Sequence, residues 1–95
     1  MVIETAYLPI KEGLSDQFEQ AFTRASQLIA NAPGYIGHQL HRSIENPQAY
    51  LLIVQWGTLE DHTEGFRKSP QYQEWRRILQ DFYAPTPHVE HFLPR

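Results

Sequence analysis

Cysteine is absent from this chain of 95 residues, which excludes a disulfide framework, a thiolate metal site and a cysteine nucleophile together. A reducing, cytoplasmic setting suits such a composition. Long hydrophobic runs are missing too: no stretch approaches the roughly 18 apolar residues that span a bilayer. The amino-terminal MVIETAYLPIKEG has no basic region followed by a long apolar run, so neither an anchor nor an export signal is expected. Positive charge is not in excess. Eight Lys and Arg against eleven Asp and Glu give a net charge of -3, whereas nucleic-acid-binding domains usually present a basic face. A glycine-rich phosphate loop, a nucleophile elbow and a metal-binding helix motif are absent as well.

What remains is an ordinary globular composition, 41% hydrophobic and 13% aromatic, in a length that makes one domain, residues 1–95. Val2 to Ile10 is rich in β-branched and aromatic residues and reads as an edge-compatible strand, because Pro9 lies near its end. Lys11-Glu12-Gly13 is a turn signal. Ser15 is placed to cap a helix whose apolar positions Phe18, Ala21, Phe22, Ala25, Leu28 and Ile29 recur every three or four residues. Asn31-Ala32-Pro33-Gly34 ends it.

Tyr35 to Ser43 alternates, with Ile36, His38 and Leu40 on one side, and Glu45-Asn46-Pro47 turns it into the strand Ala49 to Trp56. Thr58 and Asp61 have capping-box spacing and start a short helix that Gly65 weakens. Ser69-Pro70 opens another helix, with an apolar stripe of Tyr72, Trp75, Ile78, Leu79 and Phe82, until Pro85 and Pro87 stop it. His88 to Leu93 is a last short strand. The order strand, helix, strand, strand, helix, strand is the α+β, ferredoxin-like βαββαβ arrangement.

The strand Ala49 to Trp56 is apolar on both sides: Tyr50, Leu52, Val54 and Trp56 alternate with Leu51 and Ile53. Two helices cover only one face of a sheet. The other face calls for a partner, and a homodimer with two sheets packed face to face supplies it.

From Tyr50 to Phe92 the chain resembles the antibiotic biosynthesis monooxygenase family. The resemblance runs through Tyr50 to Trp56, Asp61-His62, Gly65-Phe66-Arg67, Ser69-Pro70, Tyr72, Trp75-Arg76 and Val89-Glu90-His91-Phe92. It implies a dimeric α+β barrel of two ferredoxin-like subunits. In the branch of cofactor-independent polyketide oxygenases, Trp56 would stand at a functional tryptophan and Arg76 at an arginine. Leu52 would replace an asparagine and His62 a tyrosine. In the haem-degrading branch, Ala6, Phe66 and Arg76 would stand at the asparagine, the tryptophan and the iron-ligating histidine.

Leu59, His62 and Phe66 share one stripe of a regular helix. His62 would then sit in an apolar pocket with Trp56, where neutral imidazole can act as a general base. The alternative is a buried histidine satisfied by a backbone carbonyl, Asp61 or Glu90. Phe66, Tyr72 and Trp75 would contact an aromatic ring or simply fill the core. Arg76 would hold an oxyanion. His38 and His91 would line the same cavity or the dimer seam. The pairs His38-x-x-His41 and His88-x-x-His91 would not chelate a metal, since a three-residue step along a strand sends the rings to opposite faces. Arg67, Lys68, Arg76 and Arg77 form a basic group that either attracts a small anion or is a solvated helix face.

The expected function is a cofactor-independent monooxygenase, using neither flavin nor metal, that acts with O2 on a small electron-rich aromatic molecule of quinol, anthrone or polyketide type. The alternatives are a non-catalytic dimer that binds a small ligand or responds to stress, and a haem-binding or haem-degrading protein. The expected site comprises His62, Trp56 and Arg76 as catalytic residues. Leu52, Phe66, Tyr72, Trp75, His38 and His91 would contact substrate.

Overall fold

Strand β1 (Val2–Pro9) runs through the middle of the sheet, not along its edge. The structure, a computed structural model, describes residues 1–95. In it β1 pairs antiparallel with β3 (Ala49–Trp56) over its whole length and with β4 (His88–Phe92) from Ile3 to Tyr7. Pro9 lies beyond the last β4 partner, so its missing N–H leaves that ladder intact. Strand β2 (Tyr35–Arg42) completes the order β2-β3-β1-β4, and helices α1 (Ser15–Ala30) and α2 (Pro70–Leu79) follow β1 and β3 in the chain. This is the ferredoxin-like α+β fold. The shortest dimension, 19 Å against 35 and 32 Å, is that of one sheet with one layer of helices.

Alternation decides which side chains meet the helices. Glu4, Ala6 and Leu8 of β1 and Tyr50, Leu52, Val54 and Trp56 of β3 are all buried there against Phe18, Ala21, Phe22, Ala25 and Ile29 of α1. The intervening residues face away: Tyr7 is 45% and Leu51 38% exposed. In β2 a bulge between Tyr35 and Gly37 breaks the alternation, so Ile36 is exposed instead of joining His38 and Leu40.

The turn chemistry holds with one exception. Ser15 is the first residue of α1 and makes no capping bond. Ser69 does cap α2, accepting from the Tyr72 N–H at 3.2 Å, with Pro70 at the first helical position. Thr58 and Asp61 form the reciprocal box: Thr58 N donates to Asp61 Oδ2 at 2.9 Å and Asp61 N to Thr58 Oγ1 at 3.1 Å. That carboxylate lies against Gly34, where an added Cβ would fall 2.1 Å from Asp61 Cγ. Gly34 also has φ +84, so glycine is required there for both reasons.

Past the box the chain does not form a regular helix. Asp61–Phe66 is a π-helical segment closed by the Arg67 N–H donating to the His62 carbonyl at 3.0 Å. The wider turn keeps His62 and Phe66 inward but drops Leu59 from the stripe, leaving it 39% exposed.

Candidate active site

Cross-strand pairing sets the floor of the site. Glu4 on β1 lies opposite His91 on β4, and both point to the helix side. Trp56 ends β3 beside them, and its indole Nε1–H donates to Glu4 Oε1 at 3.0 Å. The π-helical segment then lowers His62 onto this floor. Its ring stacks on Trp56 with centroids 5.3 Å apart and planes at 15°. His62 Nε2 comes within 3.4 Å of Glu4 Oε1, and His62 Nδ1 and His91 Nε2 share a proton across 2.8 Å.

Both nitrogens of His62 therefore face protein partners, and neither Asp61 nor Glu90 is among them. Asp61 belongs to the capping box, and Glu90 meets His88 at 3.1 Å on the far side of β4. Glu4 Oε1 takes the indole and faces the imidazole, while Oε2 bonds to nothing in the chain and is not sealed from solvent.

Burial sets the charges. His62, 4% exposed, falls from the ordinary 6.5 to about 4, first through loss of hydration and then through the positive charges of Arg67 and His91. Imidazole is thus neutral at pH 7. Burial pushes the Glu4 carboxyl upward, against the opposing effects of the Trp56 bond and the Arg67 charge. His91 is lowered by burial and by Arg67. Carboxyl and imidazole are thereby brought towards each other's range.

Above this floor lies a cavity of about 110 Å³ that Glu4, Ala6, Leu52 and His62 share with Phe66, Tyr72, Trp75, Arg67 and Arg76. Phe66 meets Tyr72 and Trp75 edge-on, with centroids 5.6 and 5.9 Å away. Tyr83, whose phenol is raised by burial and by Tyr72, closes the outer wall. Of the residues expected from sequence, His62, Arg76, Leu52, Phe66, Tyr72 and Trp75 line this space. Trp56 is completely buried behind His62 and supports it, and His91 acts through its bond to His62.

His38 is not brought to the cavity. It accepts or donates at the Tyr35 hydroxyl, 2.6 Å away, and meets the edge of Phe22. It also lies on the helix side of the sheet, as does His91, so neither histidine is on the open face. Glu4 and Tyr83 were missed. The signal for Glu4 was a carboxylate in phase with Ala6 and Leu8 in an otherwise apolar strand. Tyr83, in an irregular segment, carried none.

The basic group divides. Lys68 bonds Glu64 at 2.7 Å and Arg77 Nε bonds Glu74 at 2.9 Å, both on exposed helix surface. Arg67 and Arg76 stay at the cavity and enter no ion pair. The cavity does not fit haem: it is far smaller than a macrocycle, and His62 bonds His91 through Nδ1 and faces Glu4 with Nε2.

A ferredoxin-like subunit with an aromatic cavity floored by a carboxylate and an imidazole is the class of protein that fold and site define. The pattern of the antibiotic biosynthesis monooxygenase family matches residues 1–78, and the chain belongs to that family. It is 55% identical to the uncharacterized protein YczJ of Bacillus subtilis over 92 residues, 97% of each chain. A Bordetella bronchiseptica structure assigned to the antibiotic biosynthesis monooxygenases is 37% identical and superposes with a TM-score of 0.95, covering 99% of this chain and 96% of that one. SnoaB, a cofactor-independent oxygenase of Streptomyces nogalater, shares the fold at 21% identity, with a TM-score of 0.86 over 99% of this chain and 92% of that one. The family match reaches into the first half of the chain, beyond the stretch from Tyr50 to Phe92 that carries the resemblance. No helix is long and apolar enough to cross a membrane.

Proposed function

We propose that the protein is a cofactor-independent monooxygenase of a small electron-rich aromatic substrate. The observation that carries this reading is the Glu4–His62 pair on the floor of an aromatic cavity, with Glu4 Oε2 unpartnered. Family membership and the shared fold of SnoaB support it.

A phenolic ring enters between Phe66, Tyr72 and Trp75. The pair accepts the phenol proton, with Oε2 as the receiving atom, while Trp56 and His62 hold Oε1. Arg67 and Arg76 favour the resulting anion. The phenolate gives one electron to O2, the radical pair joins at a ring carbon bearing hydrogen, and a hydroperoxide forms. Loss of that hydrogen as a proton, with cleavage of the O–O bond, leaves one oxygen as a carbonyl and releases the other as water. The substrate supplies every electron.

The open sheet face, with Ile3, Tyr7, Leu51, Ile53 and Phe92, is covered by the same face of a second copy in this reading, and the homodimer works in the cytoplasm. Sedimentation at low concentration checks the first point: a stable single subunit overturns it.

Oxygen uptake over a panel of quinols and anthrones tests the chemistry. Native protein is expected to consume O2, and His62→Ala and Glu4→Gln to lose about 100-fold or more while folded. Ligand binding without any uptake would instead support the non-catalytic binding protein, and unchanged rates in both variants would remove the pair from the reaction.

A further inference from the structure

We propose that the cavity selects single-ring phenols carrying an anionic substituent, such as a carboxylate, with the ring inside and the anion held by Arg67 and Arg76 of the cavity lining. This rests on the aromatic-substrate reading above and narrows it.

Two observations lead here. The first is size. An apolar cavity of roughly 150 Å³ accepts benzene, so about 110 Å³ holds one ring at most and excludes a fused pair. Anything further must project outward. The cavity widens there into a cleft of about 400 Å³ that shares Tyr72, Arg76, Tyr83 and Pro87 with it.

The second is charge. Four basic residues lie close in sequence, and the two that point elsewhere, Lys68 and Arg77, are neutralised by glutamates one helical turn away. The two at the cavity are not. Arg67 and Arg76 retain unpaired guanidinium groups in a protein whose net charge is -3, where carboxylates are plentiful. The charge of Arg67 is felt by Glu4, His62 and His91. A phenolate at the base of the cavity takes up one such charge. A planar carboxylate takes up the other, because guanidinium donors match its two oxygens and the bonds strengthen away from bulk water.

The geometry also separates the ends of the ligand. Glu4 repels an anion at the floor, so the carboxylate is directed to the mouth and the phenol to the base. An ionised acid and its methyl ester have the same ring but differ at the group the arginines would hold.

The test is anaerobic binding, read by calorimetry, which requires no turnover. The probes are 2,5-dihydroxybenzoate and its methyl ester. The acid is expected to bind about 10-fold or more tightly than the ester, and the preference is expected to shrink with added salt. Arg67→Gln, Arg76→Gln and the double variant should lose the preference stepwise, read as the ratio of acid to ester affinity in each variant. Equal affinities in the native protein, a preference that survives the double variant, or no binding of either probe would overturn the proposal. Oxygen uptake is scored separately: preference without uptake retains this inference and removes the monooxygenase reading, whereas uptake of neutral quinols without preference does the reverse.

Discussion

The two ends of the helix-side interior are enclosed by the same sheet and the same helices, yet they are built differently. At one end Phe18, Tyr50 and Leu79 are sealed from solvent, with the rings of Phe18 and Tyr50 4.9 Å apart. The polar atom there, the Tyr50 hydroxyl, reaches the rim and donates to exposed Glu19 at 2.5 Å. At the other end Glu4, Trp56, His62 and His91 join in a buried polar chain beside unfilled space. Close packing of apolar groups stabilises a fold without further conditions, whereas buried ionisable groups lower stability unless each finds a partner. The contrast marks the candidate site: one end is built for stability, and the other gives some of it up.

Substitutions can break this contrast. The largest effect is expected at the packed end, where Phe18→Ala should lower unfolding free energy by about 3 to 5 kcal/mol in urea titration while leaving ring binding at the cavity intact. A loss below 1 kcal/mol would show that this end is not tightly packed. At the polar end acid should act instead. The folded protein keeps His62 neutral down to about 4 while the unfolded chain protonates it near 6.5, so unfolded chains bind more protons and stability falls as pH drops through that window. The full loss is about 3 kcal/mol, and His91 adds in the same direction. Glu4 runs the other way, since a raised carboxyl contributes most at low pH and loses that contribution as pH rises through its folded value. Replacing His62 with Gln should flatten the acid slope; an unaltered slope would assign it elsewhere.

Smaller changes sharpen the comparison. Ala6 is buried at the cavity wall, so Ala6→Val should weaken binding of a single-ring phenol about 10-fold, or ~1.4 kcal/mol. Its stability should change little, because the added methyl groups enter free space. Undiminished affinity would place the ligand elsewhere. Tyr50→Phe removes the hydroxyl that bonds Glu19 and should lower stability by about 1 kcal/mol, with no effect on binding.

Much of the fold was legible because its signals are local. Pro70 after Ser69, glycine at 34 and the Thr58–Asp61 pair each act within a few residues, and the structure reproduces all three. The division of β3 into two apolar sets on opposite faces followed from alternation alone. The errors arose where neighbours in space outweigh neighbours in sequence. Pro9 marks an edge only if a strand lies beside it, and β4 stops short. The position of Leu59 presumes a regular helix, which the π-helical segment replaces.

The candidate site divides along the same line. Sequence by itself determined that a histidine and a tryptophan would be buried near one end of β3, since periodicity places side chains on faces. It also determined the order of elements and the apolar character of both sheet faces. Only the tertiary structure decided that Glu4, 58 positions before His62 in the chain, would meet that imidazole, and that His91 would complete the chain from the opposite terminus. Strand order and register set those meetings, and both are settled by packing over the whole sheet, where no short stretch of residues carries the information.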